Sequence, residues 1–489
     1  MSKPYANVGR ILAVDAAKRR QSHWLFGAAL AVAATLCALD ARWGALPAVA
    51  VTAMCVLLPL AAADYRVAVQ LAVFLLALSP TYLMPKEMFG VAGLNPLNGA
   101  IVLAAASLGA SALLTRRLIL PRWPRPFWLY VAVLGGAAIY GAGQVSRIPP
   151  YFKVLEIINF DSARGYVLDI FIKPMLIPAT AYMLSIVIAN AVEPVRYLLP
   201  FFLSALVLPT MAIGYVLSSG EALSTLASSD ARGFLSVIGM HANELGLMFN
   251  MVFSLAAFCF LSSRQRWQRL VFGAMATVCA AAVALTFSRG AYAGLLAVVV
   301  CVLVSQRRVL AILALMVAMA GAASWLPSAV TERAATGLAS GDVENISAGR
   351  VDGIWRPLLP DVAASPLFGH GLSAILWSDA AHRHTILPVG HTHSAYLGTL
   401  LDIGVLGALA VALFFTHMGK LFLYLARQAP HALWRGFFRG AMACIILLLV
   451  QGLTDDSFTP SRSQPFLWLS YGLGLGLLAR AGMRKAGAP

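Results

Sequence analysis

The chain has 489 residues, of which 60% are hydrophobic and 11% charged, and its formal net charge is +16. Its mean hydropathy of +0.80 excludes an ordinary water-soluble enzyme, because a soluble core of this length needs far less apolar surface. The positive charge would suit a nucleic-acid binder, but it clusters in short runs between apolar stretches, which excludes nucleic acid as the partner.

The first apolar stretch, Trp24 to Leu39, has the look of a signal peptide. Asp40-Ala41-Arg42 is a poor small-residue cleavage site, however, and a second apolar stretch follows at once, so an uncleaved first helix is expected. Apolar stretches then run at 45–63, 67–83, 96–115, 127–144, 166–190, 197–217, 243–263, 269–287, 290–305, 309–326, 394–416, 436–453 and 465–480. With one or two of them re-entrant or half-length, the expected fold class is an all-α polytopic integral membrane protein of about 12–14 transmembrane helices. Lys18-Arg19-Arg20, the Arg116, Arg117, Arg122 and Arg125 group, Arg264, Arg266 and Arg269, Arg307-Arg308, Arg427 with Arg435, and Arg484-Lys485 fall in alternate connections. Only Asp15, Asp64 and Glu193 oppose them there, so these connections and both termini are expected in the cytoplasm. Cys37, Cys55, Cys259, Cys279, Cys301 and Cys444 all sit in apolar segments and read as small buried hydrophobes rather than disulfides or metal ligands.

The exception among the connections is 327–393, far longer than a link between two spans requires. Three regions of one integrated membrane domain follow: spans with short loops over 1–326, a long outer loop or cap over 327–393, and further spans over 394–489. Inside the cap, Val351, Ile354, Trp355, Leu358 and Leu359 recur at helical spacing, which predicts a short amphipathic helix capped by Ser347 and ended by Pro360.

Outer-side arginines mark loop–helix junctions. Ser288-Arg289-Gly290 separates two apolar stretches, so a tight turn is expected there, with Gly290 permitting it and Arg289 at its tip. Arg232, Arg164, Arg350, Arg356 and Arg462 are further outer guanidiniums, each able to grip a phosphate through a planar fork or to pair with a nearby acid. Five histidines, His370, His382, His384, His391 and His393, crowd the long loop, and His393 directly precedes a span. The positive end of that helix disfavours imidazolium, which suits His393 as a general base, with His391 as an orienting or alternative residue. A metal held by His382, His384, His391 and His393 is the competing reading, weakened by the scarcity of other nearby ligands. Asp169, Lys173 and Asp402 lie within spans and should face the bundle interior in hydrogen bonds or ion pairs. Gly398, Gly404 and Gly407 are expected to admit a neighbouring helix at close range.

These residues resemble the O-antigen ligase family and its relatives, the O-antigen polymerases and bacterial protein O-oligosaccharyltransferases. The family motif is a histidine followed by Asn, Ser or Gln, nine residues, glycine, two residues, and a small residue or tyrosine. Here His393-Ser394, the nine residues 395–403, Gly404, Val405-Leu406 and Gly407 match it. Ser288-Arg289-Gly290, Gly349-Arg350 with Trp355, Pro366-Leu367-Phe368-Gly369-His370-Gly371, Arg232-Gly233 and His241-Ala242-Asn243-Glu244 are also similar, and the likeness runs from about residue 160 to 460. The first 150 residues contribute only hydropathy. The resemblance implies a GT-C-like glycosyltransferase of the bacterial inner membrane, with its active site towards the periplasm. Its donor would be a glycan on undecaprenyl pyrophosphate and its acceptor a hydroxyl of lipid A–core, joined by inverting transfer without metal, nucleotide or other cofactor. His393 would be the base and Arg289, Arg350, Arg232 and Arg164 the pyrophosphate ligands, with membrane lipids around a monomer and no nucleic acid involved.

Within the resemblance, an O-antigen polymerase or protein O-oligosaccharyltransferase is the alternative; the short stretch after Gly407 leans towards ligase. A transporter or flippase would also be a helical bundle with interior charges. It would carry paired halves with interrupted helices rather than one oversized, histidine-rich loop.

Overall fold

The structure is a computed structural model that describes residues 57–485 apart from 82–83, 86, 89–90, 94, 116–117, 221–234, 236–237, 308–346, 348 and 455–456. The expected spans at 24–39 and 309–326, most of 45–63, Cys37, Cys55 and Arg232 lie outside the described residues. Elsewhere each apolar stretch is a helix. We number them α1 (Tyr65–Leu78), α2 (Pro96–Thr115), α3 (Arg125–Ala142), α4 (Ala163–Ala189), α5 (Leu198–Ser218), α6 (Ala242–Ser262), α7 (Arg266–Ala284) and α8 (Arg289–Ser305). In the cap, α9 is a π-helical turn, Val351–Trp355, continuing into Arg356–Ala364; α10 (Ala395–Gln428), α11 (Ala432–Gln451) and α12 (Pro465–Lys485) follow. The one described sheet is a two-residue antiparallel ladder, Glu87–Met88 against Val91–Ala92.

Seven of these helices are long and apolar enough to cross a membrane. Their outward faces carry bare hydrophobes such as Leu114, 86% exposed, and Leu113, 79% exposed. Surface of that kind is stable only against lipid. The protein is therefore a nearly all-helical, multi-pass membrane protein.

Close helix approach explains the densest pairings, since hydrophobic driving force between helices is weak in lipid. On α11, Gly436 and Gly440 lie on one face against α6. A Cβ added at Gly436 would sit 2.6 Å from the Phe258 carbonyl oxygen, and one at Gly440 2.8 Å from the Leu255 backbone. Gly472 and Gly476 of α12 do the same against Ala181 and Ser185 of α4, at 2.1 and 2.5 Å. Two buried polar side chains on α6 bridge to neighbouring helices: Asn250 Nδ2 donates to the Ala291 carbonyl (2.8 Å) and Ser254 Oγ to that of Gly440 (2.9 Å).

A second, smaller apolar cluster stands apart from the bundle core. Ile354, Leu358, Ile375, Trp377 and Ile386 from the cap pack with Phe152, Phe160 and Tyr166, which precede or begin α4, and with Leu401 of α10. The cap is thus built from two stretches of chain, 151–167 as well as 347–393, not from the long loop alone. Tyrosine hydroxyls join the two: Tyr166 to the Leu372 carbonyl (2.5 Å) and Tyr151 to that of Ala381 (3.1 Å).

Among the described residues two π-helical turns occur, Leu168–Ile172 within α4 and Val351–Trp355 opening α9, and each runs into a proline, Pro174 or Pro357. Proline has no N–H to continue the four-residue ladder, and a wide turn accommodates the missing donor. The carbonyl of Gly353, four residues before Pro357, is taken instead by the Leu387 N–H (2.9 Å). Contrary to expectation, Pro360 does not end the cap helix, which continues to Ala364. Of the expected apolar stripe, Ile354 and Leu358 are buried, whereas Leu359 is exposed.

Candidate active site

The turn 391–394 leads into α10. His393 adopts a left-handed backbone conformation, φ +52°. Such a conformation is uncommon for a residue with a side chain, and histidine is among those that tolerate it best. Its ring lies 4.0 Å, centroid to centroid, from that of His391, tilted by 51°. Between them Thr392 is buried, and it anchors the turn three ways. Its carbonyl accepts from Trp355 Nε1 of the cap (2.9 Å), and its hydroxyl donates to the Ser394 carbonyl (2.7 Å). The same hydroxyl rests over Gly398, where an added Cβ would come within 2.9 Å. Ser394 caps α10 by accepting from the Leu397 N–H.

The first amide of α10, Ala395 N–H, donates to the Gly452 carbonyl (2.8 Å) at the end of α11. Two residues further, the Thr454 carbonyl accepts from the Arg350 guanidinium. Thr454 also faces α8: an added Cβ at Gly290 would lie 3.2 Å from its hydroxyl oxygen. His393 and Thr454 each sit two residues from the Ala395–Gly452 hydrogen bond, and two residues of chain span at most about 7 Å. The turn after α11 therefore touches the start of α10, the Arg350 guanidinium and the head of α8 at Gly290, the residue after Arg289.

Arg289 is half-buried at the head of α8, where Ser288 accepts from Ala291 N–H and donates its hydroxyl to Asn243 Oδ1 (2.6 Å) at the head of α6. The tight reversal there differs from expectation in its cause. Phe287 supplies the positive φ, +48°, while Gly290 is helical and serves instead to let Thr454 approach.

The other arginines are placed elsewhere. Arg462 is bidentate to Glu244 (2.9 and 3.0 Å), whose carboxylate also closes the capping box at His241 N–H. Arg356 pairs with Asp352, four residues earlier on the cap helix. Arg164 is exposed near the start of α4, and no described contact joins it to the Thr454 turn. His370 bonds the Asp361 carbonyl (2.7 Å), His382 that of Ser378 (3.0 Å), and His384 lies against the Tyr151 ring. Among the described residues, no three His, Cys, Asp or Glu side chains are grouped as a metal site.

Below the turn, α10 is broken. Gly404 has φ +62° and ψ −170°, and the cap segment 366–371 inserts beside it. The amides of Val405 and Leu406 donate to the carbonyls of Pro366 (2.8 Å) and Leu367 (3.1 Å). In return His370 and Gly371 amides donate to the carbonyls of Leu401 and Asp402 (2.8 Å each). Gly404, Gly398 and Gly407 thus differ from the expected helix–helix contacts: their nearest neighbours are the Leu367–Phe368 backbone, Thr392, and the Ile403 side chain across the break. Asp402 accepts the Ser373 and Ala374 amides (2.9 Å each). Asp169 pairs with Lys173 as expected, but Lys173 is exposed rather than interior, 62% of its side chain lying open.

A cavity of about 240 Å³ opens beside this break and beneath the histidine turn, lined by His391, Thr392, Asp402 and Asp169 but not by His393. Thr454, Gly452, Thr392 and the Glu244–Arg462 pair carry none of the residue types by which a site is sought in sequence, or join residues too far apart to be paired by spacing.

The fold defines a multi-pass membrane protein with a small cap, in which the turn after α11 joins the start of α10 to Arg350 of the cap. Residues 274–412, from within α7 through the first half of α10, match the family model described as O-Antigen ligase, which supports assignment to the O-antigen ligase and polymerase superfamily. The matched stretch contains Arg289, Arg350, His391, His393 and Gly404. No curated protein matches the chain.

Proposed function

We propose that the protein is an O-antigen ligase, transferring a polysaccharide from undecaprenyl pyrophosphate to a sugar hydroxyl of lipid A–core at the periplasmic face of the bacterial inner membrane. The observation that carries this reading is the meeting of the His391–His393 turn, Arg350 and the head of α8 at residues 452–454. The family match, which covers Arg289, Arg350, His391 and His393 but stops before residues 452–454, supports it. The Lys- and Arg-rich connections argue for the opposite face, with both termini, being cytoplasmic.

In this reaction the acceptor oxygen bonds to the anomeric carbon as the bond from that carbon to the pyrophosphate oxygen breaks. The His393 imidazole takes the hydroxyl proton, and undecaprenyl pyrophosphate leaves with the bonding electron pair. Pyrophosphate is a good leaving group once its charge is balanced. Arg289 and Arg350 supply that balance, with Arg232 next and Arg164 as the outermost candidate. His391, in ring contact with His393, orients it. The donor and acceptor are both lipid-borne, which suits a site at the end of membrane helices.

The test is reconstitution of the purified protein with carrier-linked glycan, offering lipid A–core, a second carrier-linked glycan and a serine-bearing peptide in competition. Transfer to lipid A–core is expected. Chain growth on the carrier would make the protein a polymerase, and modification of the peptide a protein O-oligosaccharyltransferase; either result overturns the ligase reading.

A further inference from the structure

The cavity under the histidine turn has a chemistry unlike that of the arginine-bearing turn beside it. Two acidic residues, Asp169 and Asp402, line it, together with Thr399, Ser457 and Thr459, and among the described residues no Lys or Arg does. Lys173 is bonded to Asp169. Both Asp402 oxygens hold a backbone amide, yet each carboxylate oxygen has a further lone pair to offer. Thr399 donates to the Ala395 carbonyl (2.6 Å), which leaves its oxygen free to accept. The lining thus sets a few acceptors within a mostly apolar surface that includes Ile403, Val411 and Phe458. It offers no cation to a pyrophosphate and suits a ligand that brings hydroxyl or amine donors together with an apolar face, as a sugar ring does. At about 240 Å³ it is smaller than sites for drug-sized ligands, and takes a unit the size of one sugar ring.

None of Arg289, Gly290, Arg350, Gly452 or Thr454 lines the cavity, whereas His391, Thr392, Ser394 and Ala395 do. The histidine turn therefore borders two neighbourhoods, one that holds Arg350 and one lined by carboxyl and hydroxyl groups among apolar side chains. The second is lined by His391, with His393 at its edge along the turn. In an in-line displacement the nucleophile approaches from the side away from the leaving group. If the arginines hold the leaving pyrophosphate, the ring that carries the attacking hydroxyl belongs in the other neighbourhood.

We infer that this cavity is the subsite for the terminal sugar ring of the acceptor, with Asp169 and Thr399 as specificity-determining residues that bind its hydroxyl or amino groups. The inference rests on the glycosyl-transfer reading for the identity of the reacting partner. It assigns to the cavity a neutral or amine-bearing pyranose, not a phosphorylated one.

Two conservative variants test it, Asp169→Asn and Thr399→Val, assayed as the full chain in detergent or liposomes. Each removes a charged or polar contact, so the KM for lipid A–core should rise about tenfold. The donor KM and the kcat at saturating acceptor should stay within about twofold. A rise in donor KM with acceptor KM unchanged, or no change in either, overturns the assignment. A second measurement does not depend on turnover: saturation-transfer NMR of deacylated lipid A–core oligosaccharide on the wild-type chain and on both variants. Signal on the wild type and on His393→Ala, with loss in Asp169→Asn and Thr399→Val, supports the subsite. Equal signal in all four, or none on the wild type, refutes it. If the wild type transfers to no acceptor, the ligase reading fails while the NMR comparison still decides whether the cavity takes a sugar. Should Asp169→Asn misfold, Thr399→Val carries both readouts.

Discussion

Replacing Gly404 by alanine should loosen the cap and impair the proposed transfer, for reasons worked from the break in α10. Gly404 sits at φ +62° and ψ −170°, a region open essentially to glycine alone. An added Cβ would lie 2.4 Å from the Leu367 carbonyl carbon and 2.5 Å from the Phe368 nitrogen, both backbone atoms that cannot swing aside. The chain then has two responses. It can keep the break at a backbone cost of about 1–3 kcal/mol, plus whatever displacement of 367–368 the clash demands. Alternatively it can close the helix, returning the Val405 and Leu406 amides to the Leu401 and Asp402 carbonyls. That expels the His370 and Gly371 amides from their acceptors, at about 1–3 kcal/mol for each buried donor left unmatched. The first response costs at least about 1–3 kcal/mol and the second about 2–6 kcal/mol, in both cases concentrated on segment 366–374, which also carries the amides that hold Asp402. The readouts are thermal unfolding in detergent, limited proteolysis across 366–371 and transfer activity. Gly136→Ala is the control, since an added Cβ there meets nothing within 4 Å. Gly404→Ala behaving like Gly136→Ala in all three would refute the reasoning. It would return Gly404 to an ordinary packing role.

The remaining predictions concern the chemistry. His393→Ala should lower transfer by about 10²–10⁴-fold, the usual worth of a positioned proton acceptor, with expression and donor binding retained. His391→Ala should lose less, and a larger loss there would reverse the two roles. Arg350→Lys keeps the charge but loses the planar fork, and it weakens the link to the Thr454 carbonyl, so donor KM should rise; Arg289→Lys should act in the same direction. Unchanged donor kinetics in both variants would leave these arginines as headgroup contacts. A chelator should leave transfer rates unchanged, because guanidinium groups perform the charge balance; metal-dependent recovery after chelation would contradict that division of labour.

The helices were legible because a membrane span is written locally. Every apolar stretch among the described residues became a helix, since lipid leaves the backbone no other way to satisfy its amides; most ends fall within a few residues of expectation, but α10, expected to end at 416, runs on to Gln428. The motif around His393 was legible for the same reason: its residues adjoin one another, and its glycine stands at a fixed spacing on the following helix. The purpose of that glycine was not. Spacing on a helix suggests a helix partner, whereas the partner of Gly404 is an extended piece of cap backbone from 366–371, a contact between residues more than thirty positions apart that involves no distinctive side chain. Gly290 misled in a similar way, because a glycine beside a reversal is read as the turn residue, while Phe287 took the strained conformation and Gly290 made room for Thr454. The arginines divide along the same line. Residue type marked all of them as candidates, but only non-local geometry separates Arg350, reaching the turn behind the histidines, from Arg462, committed to Glu244. A bidentate carboxylate already occupies the fork that a phosphate would need, so Arg462 can join donor binding only by abandoning Glu244. The division of the histidine turn into a cationic side and a carboxylate-lined side follows from the same non-local folding, which sets Asp169 of α4 beside Asp402 of α10.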